Sequence, residues 1–385
     1  MAMEEKEIHR KSHSRRFKRK ILFIFFAGMV FGIVVTFGAF RFYRTISAMQ
    51  KEILPQIVVE KTEESIGETS IAEDDLEGIR MQAEEENARA AEEFAETEEE
   101  GSDISAPEEL SGSPMDILKS CLQNGDSTSV ALRKAISDEI VVASGGRYYF
   151  LPIDETLKKH NYSNDNLVLD EGGVLSYQKD GQTVSKKGID VSRYQGEIDW
   201  ERVRADGVEF AFIRAGIRGY GTGKLVPEEG FAENLVKAVE AGVDVGAYFF
   251  SQAVTEEEAV EEADLVIEAL SGNGLPYPVV YDLERVKSAD GRMNGMSKEE
   301  MTAVCLAFCN RIKDAGYTPM IYGNLETFCL MLDMTKLEEY PKWLAYYQDE
   351  FYFPYDFQIW QYSEKGRVDG IKGDVDMNLL LKELY

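Results

Sequence analysis

Pro278-Val279-Val280-Tyr281-Asp282-Leu283-Glu284 is an apolar run that ends in two carboxylates. It is short and bounded by turn residues, which reads as a buried strand. At positions i and i+2 of a strand both acidic side chains point to one face, with Cβ atoms about 7 Å apart at roughly 3.3 Å per residue. Working outward, the same rhythm recurs. Upstream stand Gly188-Ile189-Asp190-Val191, Phe210-Ala211-Phe212-Ile213-Arg214 and Val245-Gly246-Ala247-Tyr248-Phe249. Downstream come Pro319-Met320-Ile321-Tyr322, Trp343-Leu344-Ala345-Tyr346-Tyr347, Phe357-Gln358-Ile359-Trp360-Gln361 and Gly373-Asp374-Val375-Asp376. The chain therefore offers eight candidate strands between residues 188 and 385.

Helical patterns separate several of these runs. Thr255 with Glu258, and Ser297 with Glu300, have the spacing of a capping box, which satisfies orphan backbone donors at a helix start. Met301, Val304, Cys305, Phe308 and Ile312 fall on one helical face. Gly242 and Gly316 suit the left-handed position after a helix. Strands alternating with helices predict an α/β fold with a parallel sheet, here an irregular (β/α)8-type barrel. The last three strands have short connections, so the irregularity is expected there.

In such barrels the chemistry sits at the C-terminal ends of the strands. Asp190, Arg214, Tyr248, Asp282, Glu284, Tyr322, Tyr347, Gln361 and Asp376 all fall at such ends. In the Asp282–Glu284 pair, burial and the neighbour's charge can keep one carboxyl protonated beside another that stays ionised. Glycoside cleavage requires that combination. An Asp-x-Glu pair alone reads more readily as a solvated or salt-bridged pair, and its place at the end of an apolar strand is what favours the chemical reading. Trp343, Trp360, Tyr248, Tyr281, Tyr322 and Tyr347 could stack on sugar faces or serve as ordinary core. Elimination narrows the chemistry. The three histidines are His9, His13 and His160, all outside the barrel region. A Ser-His-Asp triad, a Cys-His pair and a histidine-ligated metal are thereby disfavoured, and no cofactor is called for. Gly219-Tyr220-Gly221-Thr222-Gly223-Lys224 lacks the spacing of a phosphate loop.

The rest of the chain is organised by charge. The net charge of -28 argues against nucleic acid as a partner. Eight Lys and Arg residues between Lys6 and Lys20 precede an uncharged run, Ile21 to Phe40. Twenty helical residues span about 30 Å, the hydrocarbon thickness of a bilayer. A cleaved signal would have a shorter apolar region and a small-residue cleavage site. Residues 21–40 are therefore expected to be an uncleaved single-pass anchor in the lipid bilayer of the cell membrane. Residues 1–20 would form a basic cytoplasmic tail, and everything after the span would lie outside. Residues 41–113 are rich in Glu, Ala and Ser and read as an acidic low-complexity stalk. Residues 114–187 regain a globular pattern. Met115 to Leu122 and Val130 to Ile136 fit short helices. Strands at 140–143, 147–153 and 167–177 are broken by Gly145-Gly146 and Gly172-Gly173. This is a small α+β module without a chemical motif, fitting a wall- or partner-binding element or a spacer. The four cysteines make no disulfide framework, and Cys305 reads as helical core.

Residues 188–385 resemble the glycoside hydrolase family 25 lysozymes, the Chalaropsis-type muramidases. The resemblance covers about half the chain and rests on motifs in family order: Gly188 to Gly196, Gly246 to Phe250, Tyr281 to Glu284, Trp343 to Tyr347, Ile359 to Tyr362, and Val375 to Asn378. It implies an irregular β/α barrel that hydrolyses the β-1,4 bond from N-acetylmuramic acid to N-acetylglucosamine in peptidoglycan glycan strands. By that likeness Glu284 matches the acid/base, Asp282 its stabilising partner, and Asp190 and Asp376 two flanking carboxylates. Arg214, Tyr248, Tyr281, Tyr322, Trp343, Tyr347, Trp360 and Gln361 are the candidate substrate contacts. Phe249 stands where the family usually has His, and Arg214 where it often has Lys. Two routes to a retained product fit, attack by Asp282 or by the substrate's own acetamido group, and the resemblance favours the second. Two other functions fit the same residues: a wall-binding or scaffolding protein that has lost turnover, and a glycosidase for another N-acetylated glycan.

Overall fold

The computed structural model describes residues 112–170 and 172–384, all within one compact unit. The basic tail, the expected span at residues 21–40 and nearly all of the stalk lie outside the described residues. Among the described residues no helix is long and apolar enough to cross a membrane.

The first elements form the small module. Helix α1 (Pro114–Gln123) opens on a full capping box between Ser113 and Asp116, with proline in its first turn. Helix α2 (Thr128–Ala135) follows, then a hairpin of β1 (Glu139–Ser144) and β2 (Arg147–Pro152). The hairpin turns on Gly145 and Gly146, both at positive φ. Strands β3 (Leu167–Leu169), β4 (Leu175–Lys179) and β5 (Gln182–Thr183) form a second small antiparallel sheet. The module does not hang free. Val141 N–H donates to Tyr352 Oη at 2.6 Å, Asp154 N–H to Tyr355 Oη at 2.8 Å, and Tyr162 Oη to the Phe357 carbonyl at 2.7 Å. His160, Tyr162 and Tyr177 pack ring to ring with Phe351 and Phe357. The module thus clamps the long connection at residues 346–358.

The barrel starts two residues earlier than expected, because β6 (Lys186–Val191) already pairs from Lys186 with Leu380. Then come α3 (Trp200–Ala205), β7 (Phe210–Arg218), β8 (Leu225–Pro227), α4 (Phe231–Ala241), β9 (Asp244–Ser251) and α5 (Glu256–Leu270). Strand β10 (Val279–Leu283), α6 (Lys298–Asp314), β11 (Pro319–Asn324), β12 (Lys342–Ala345), β13 (Ile359–Gly366) and β14 (Val375–Leu380) complete it. The sheet order is β6-β14-β13-β12-β11-β10-β9-β7-β8, and the β6–β7 pairing closes the ring. Strand β8 is a short antiparallel flap on β7.

The expectation of an all-parallel barrel needs one correction. Strand β14 is antiparallel to both β13 and β6. A parallel crossover needs about a dozen residues or more, and the short link from Gly366 to Val375 permits only a hairpin. The helix starts also divide. Ser297 and Glu300 form the full capping box. Thr255 caps Glu258 N–H, but the Glu258 carboxylate is taken by Arg292 and Val254 N–H instead. Gly242 and Gly316 adopt the left-handed conformation at the ends of α4 and α6.

The barrel interior is built by strict alternation. Phe210 and Phe212 of β7 point in, where they stack on Tyr277 (5.0 Å) and Trp343 (4.6 Å). Val280, Met320, Tyr322, Trp343, Ile359 and Leu380 fill the rest. Two glycines make the space. A Cβ on Gly188 would sit 2.1 Å from the Phe210 ring, and one on Gly246 would sit 2.4 Å from the Phe212 ring. The floor beneath the mouth is therefore solid, and polar side chains one step further along each strand stand above it.

Candidate active site

Strand parity carries Asp282 inward with Val280, while Glu284 follows just past the end of β10. Asp190 lies at the end of β6 with Asp376 as its pairing partner. The antiparallel run of β14 matters here: Asp376 is at the start of its strand, not the end, yet reaches the same mouth. First and last strands of the ring are neighbours, so residues far apart in sequence meet.

Asp190 is held from two sides. Its Oδ2 accepts from Asn378 Nδ2 at 2.7 Å and from Gln361 Nε2 at 2.8 Å. Trp343 Nε1–H donates to Asn378 Oδ1 at 2.7 Å, which fixes that amide's orientation. Tyr322 and Tyr347 hydroxyls donate to Gln361 Oε1 at 2.8 and 2.9 Å, fixing the other. With both amide oxygens occupied, both amide nitrogens must face the carboxylate.

All four carboxylates titrate high, chiefly because burial penalises their charged forms. Glu284 is pushed up to about 7 by burial and by the charge of Asp190, against a hydrogen bond from Asp282. Asp190 rises to about 6 by burial, with the two amide donors opposing. Burial, then the charges of Glu284 and Asp190, drive Asp282 well above the usual range. Asp376 is raised likewise by burial and by Asp190, Glu364 and Glu284. The Oδ1 atom of Asp282 is buried and has no hydrogen-bond partner. The cluster can therefore keep a proton near neutral pH and present it beside negative charge.

The other expected contacts divide. Tyr248 and Tyr347 are half-buried and reach the mouth. Tyr322 and Trp343 form its floor, each nearly covered. Arg214 points inward, but Glu228 takes its Nε and Nη2 at 2.8 and 3.2 Å, and its guanidinium lies 5.3 Å over the Tyr194 ring. Tyr281 and Trp360 correct the expectation of substrate contact, because alternation turns them outward. Tyr281 packs on Phe308 of α6, and Trp360 donates to the Tyr346 carbonyl at 2.7 Å under the 346–358 connection. Phe249 also faces outward, against Gly216.

Sequence reasoning passed over four residues. Asn378 had a signal, since it lies two positions after Asp376 and shares its face. Tyr194 stood within the quoted Gly188–Gly196 stretch. Glu228 and Glu364 had none, because their partners come from other strands. Among the described residues no group of His, Cys, Asp or Glu side chains is arranged to hold a metal.

A closed α/β barrel whose mouth gathers buried and half-buried, proton-retaining carboxylates above an aromatic floor is the arrangement of a glycosidase. Residues 189–371 match the family described as glycosyl hydrolases family 25. Uncharacterized protein YegX of Escherichia coli strain K12 is 33% identical over 202 residues, covering 50% of this chain and 68% of that protein. Lysozyme M1 of Streptomyces globisporus is 30% identical over 212 residues, covering 51% of this chain and 68% of the lysozyme. The crystal structure of the bacterial lysozyme from Streptomyces coelicolor superposes with a TM-score of 0.43 at 28% identity, covering 51% of this chain and 93% of that one. The chain belongs to glycosyl hydrolases family 25.

Proposed function

We propose that this chain is a Chalaropsis-type N-acetylmuramidase that cleaves the β-1,4 bond between N-acetylmuramic acid and N-acetylglucosamine in bacterial peptidoglycan. The observation that carries this reading is the hydrogen-bonded Asp282–Glu284 pair, which shares a proton near neutral pH because both carboxyls titrate high, with Asp282 Oδ1 left unpartnered. Protonated Glu284 donates to the glycosidic oxygen, which leaves with the bonding electron pair. Asp282 stabilises the positive charge at the sugar carbon and accepts from the substrate's 2-acetamido N–H as its carbonyl oxygen attacks. Water then opens the intermediate and returns its proton to Glu284. Burial keeps that proton bound, with the charge of Asp190, oriented by Asn378 and Gln361, and that of Glu364 adding to it, while Asp376 flanks the pair. No step calls for a cofactor.

We propose further that residues 21–40 anchor the chain in the cell membrane, with residues 1–20 cytoplasmic and the barrel outside at the end of the acidic stalk. Supporting this are the length of the uncharged run and the basic residues before it.

The decisive measurement is release of reducing ends from purified peptidoglycan by the full chain, with product masses. Products ending in reducing N-acetylmuramic acid are expected. Products ending in reducing N-acetylglucosamine, or none, would overturn the assignment.

A further inference from the structure

The ring of strands has a geometry that the mouth alone does not exhaust. In the order β6, β7, β9, β10, β11, β12, β13, β14, strand β6 stands diametrically opposite β11. Tyr194 follows β6 and is 51% exposed at the rim, beside Arg214. Glu326 follows β11 at the opposite rim and is ion-paired with Arg285, the residue after Glu284. Ser144, at the tip of the β1–β2 hairpin, donates its hydroxyl to Glu326 at 2.8 Å. The hairpin tip is therefore bonded to the rim at the far end of a line that starts at Tyr194 and crosses the mouth.

The hairpin also carries an unusual surface. Tyr148 and Phe150 share one face of β2 and Tyr149 takes the other, and all three are exposed, at 40%, 43% and 39%. Strand β1 is covered on its own side, where Val141 binds Tyr352 and Arg133. Strand β2 pairs only with β1 among the described residues, so the sheet ends at these rings. Most of the other exposed large apolar side chains also belong to the module rather than the barrel. Two exposed rings side by side on one face of a hairpin, as Tyr148 and Phe150 are, mark a contact site. Rings with a polar tip suit a ligand that is apolar on one face and hydroxylated at its edge, as a pyranose is.

We infer that Tyr148 and Phe150 form a distal glycan-binding platform that extends the cleft beyond the β11 rim, so that the enzyme grips long strands more tightly than short ones. This rests on the muramidase reading and deepens it. The platform gives the module a role beyond spacing, since a glycan crossing the mouth from Tyr194 would run onto it.

The test compares the full chain in detergent with its Tyr148→Ala/Phe150→Ala variant. Two substrates are used: peptide-free glycan strands of many disaccharides, and the tetrasaccharide. Removing the two rings should raise KM on long strands about tenfold, a factor that a modest loss of binding energy supplies, and leave tetrasaccharide turnover unchanged. Unchanged tetrasaccharide turnover also shows that the barrel is intact. A Tyr148→Phe/Phe150→Tyr variant, which keeps the rings, should stay near wild type on both. KM on long strands within twofold of wild type in the alanine variant would overturn the platform, and so would equal loss on both substrates. A wild-type dimer that becomes monomeric in the variant would assign the face to a second copy and overturn it too. Failure of the wild-type chain to cleave either substrate would sink the muramidase reading and the platform together, whereas the preceding outcomes sink the platform alone.

Discussion

Glu284 and Asp190 hold their protons over a pH range where isolated carboxyls have lost theirs, and two predictions follow from that difference. Glu284→Gln keeps shape and hydrogen bonding but has no proton to give. Turnover should fall about 10²–10⁴-fold, the usual worth of general acid catalysis, while melting temperature at pH 7 holds or rises. Activity within threefold of wild type would remove Glu284 from the acid role. The second prediction concerns pH. Folded Glu284 titrates at about 7 against an ordinary 4.5, and Asp190 at about 6 against 3.8. Between the ordinary and raised values the native state binds more protons than the unfolded chain. Stability therefore falls as pH rises from about 4.5 through 7. Activity should fall over the alkaline limb near pH 7, as the acid loses its proton. Thermal melts across this window should show the wild type losing more stability than Glu284→Gln. Parallel curves for the two proteins would mean that Glu284 is not the group responsible.

At the scale of elements, β9 and β14 show how strands aim side chains. Gly246 on β9 has no role in the chemistry, yet it gives Phe212 its place, and Phe212 stacks on Trp343. Trp343 in turn orients Asn378, which donates to Asp190. A methyl at 246 would meet the Phe212 ring at 2.4 Å and the Pro278 carbonyl at 2.8 Å. Gly246→Ala should cost about 1–3 kcal/mol, the common penalty for overpacking, and lower turnover per folded molecule by disturbing Trp343. Denaturant melts paired with specific activity check both. A stable, fully active variant would show that the floor is softer than its packing suggests. Strand β14 makes a related point. Its reversal puts Asp376 and Asn378 on one inward face at the mouth, where a parallel strand would have placed them at the opposite end.

At the scale of the whole molecule, the described residues form one body, since the module holds the 346–358 connection through Tyr352, Phe353 and Phe357. Removing residues before 186 would expose the aromatic cluster that Phe351 and Phe357 share with His160 and Tyr162. The proposed anchor and stalk would then hold this body outside the membrane. Some 70 stalk residues reach about 5–6 Å × √n if flexible, and further when charged. Wall cleavage would be confined to a layer near the bilayer. Protease added to intact protoplasts should digest the barrel and spare an N-terminal tag. The reverse pattern would show the orientation to be wrong, and a soluble chain lacking residues 1–40 would show the run to be a cleaved signal.

Much of this was legible in the residues because periodicity is local. Alternation along Val279 to Leu283 reports which side chains share a face, and the i, i+2 spacing of Asp282 and Glu284 survives any arrangement of neighbours. The eight strands, the helix face of Met301 to Ile312 and the solid core follow from such patterns. What tertiary structure alone decided is pairing across the ring. Barrel closure already predicts that Asp190 and Asp376 share one mouth, but the reversal of β14, forced by a link too short for a crossover, decided their direct pairing. Tyr281 and Trp360 have the composition of sugar-stacking residues, but only the placement of the barrel axis turns them toward the helices and the covering loop. Glu228 and Glu364 carried no signal, because an ion pair or a shared field depends on distance in space. The module's grip on the barrel was equally hidden, since hydrogen bonds such as Val141 to Tyr352 join residues far apart in the chain, and no local rule brings them together.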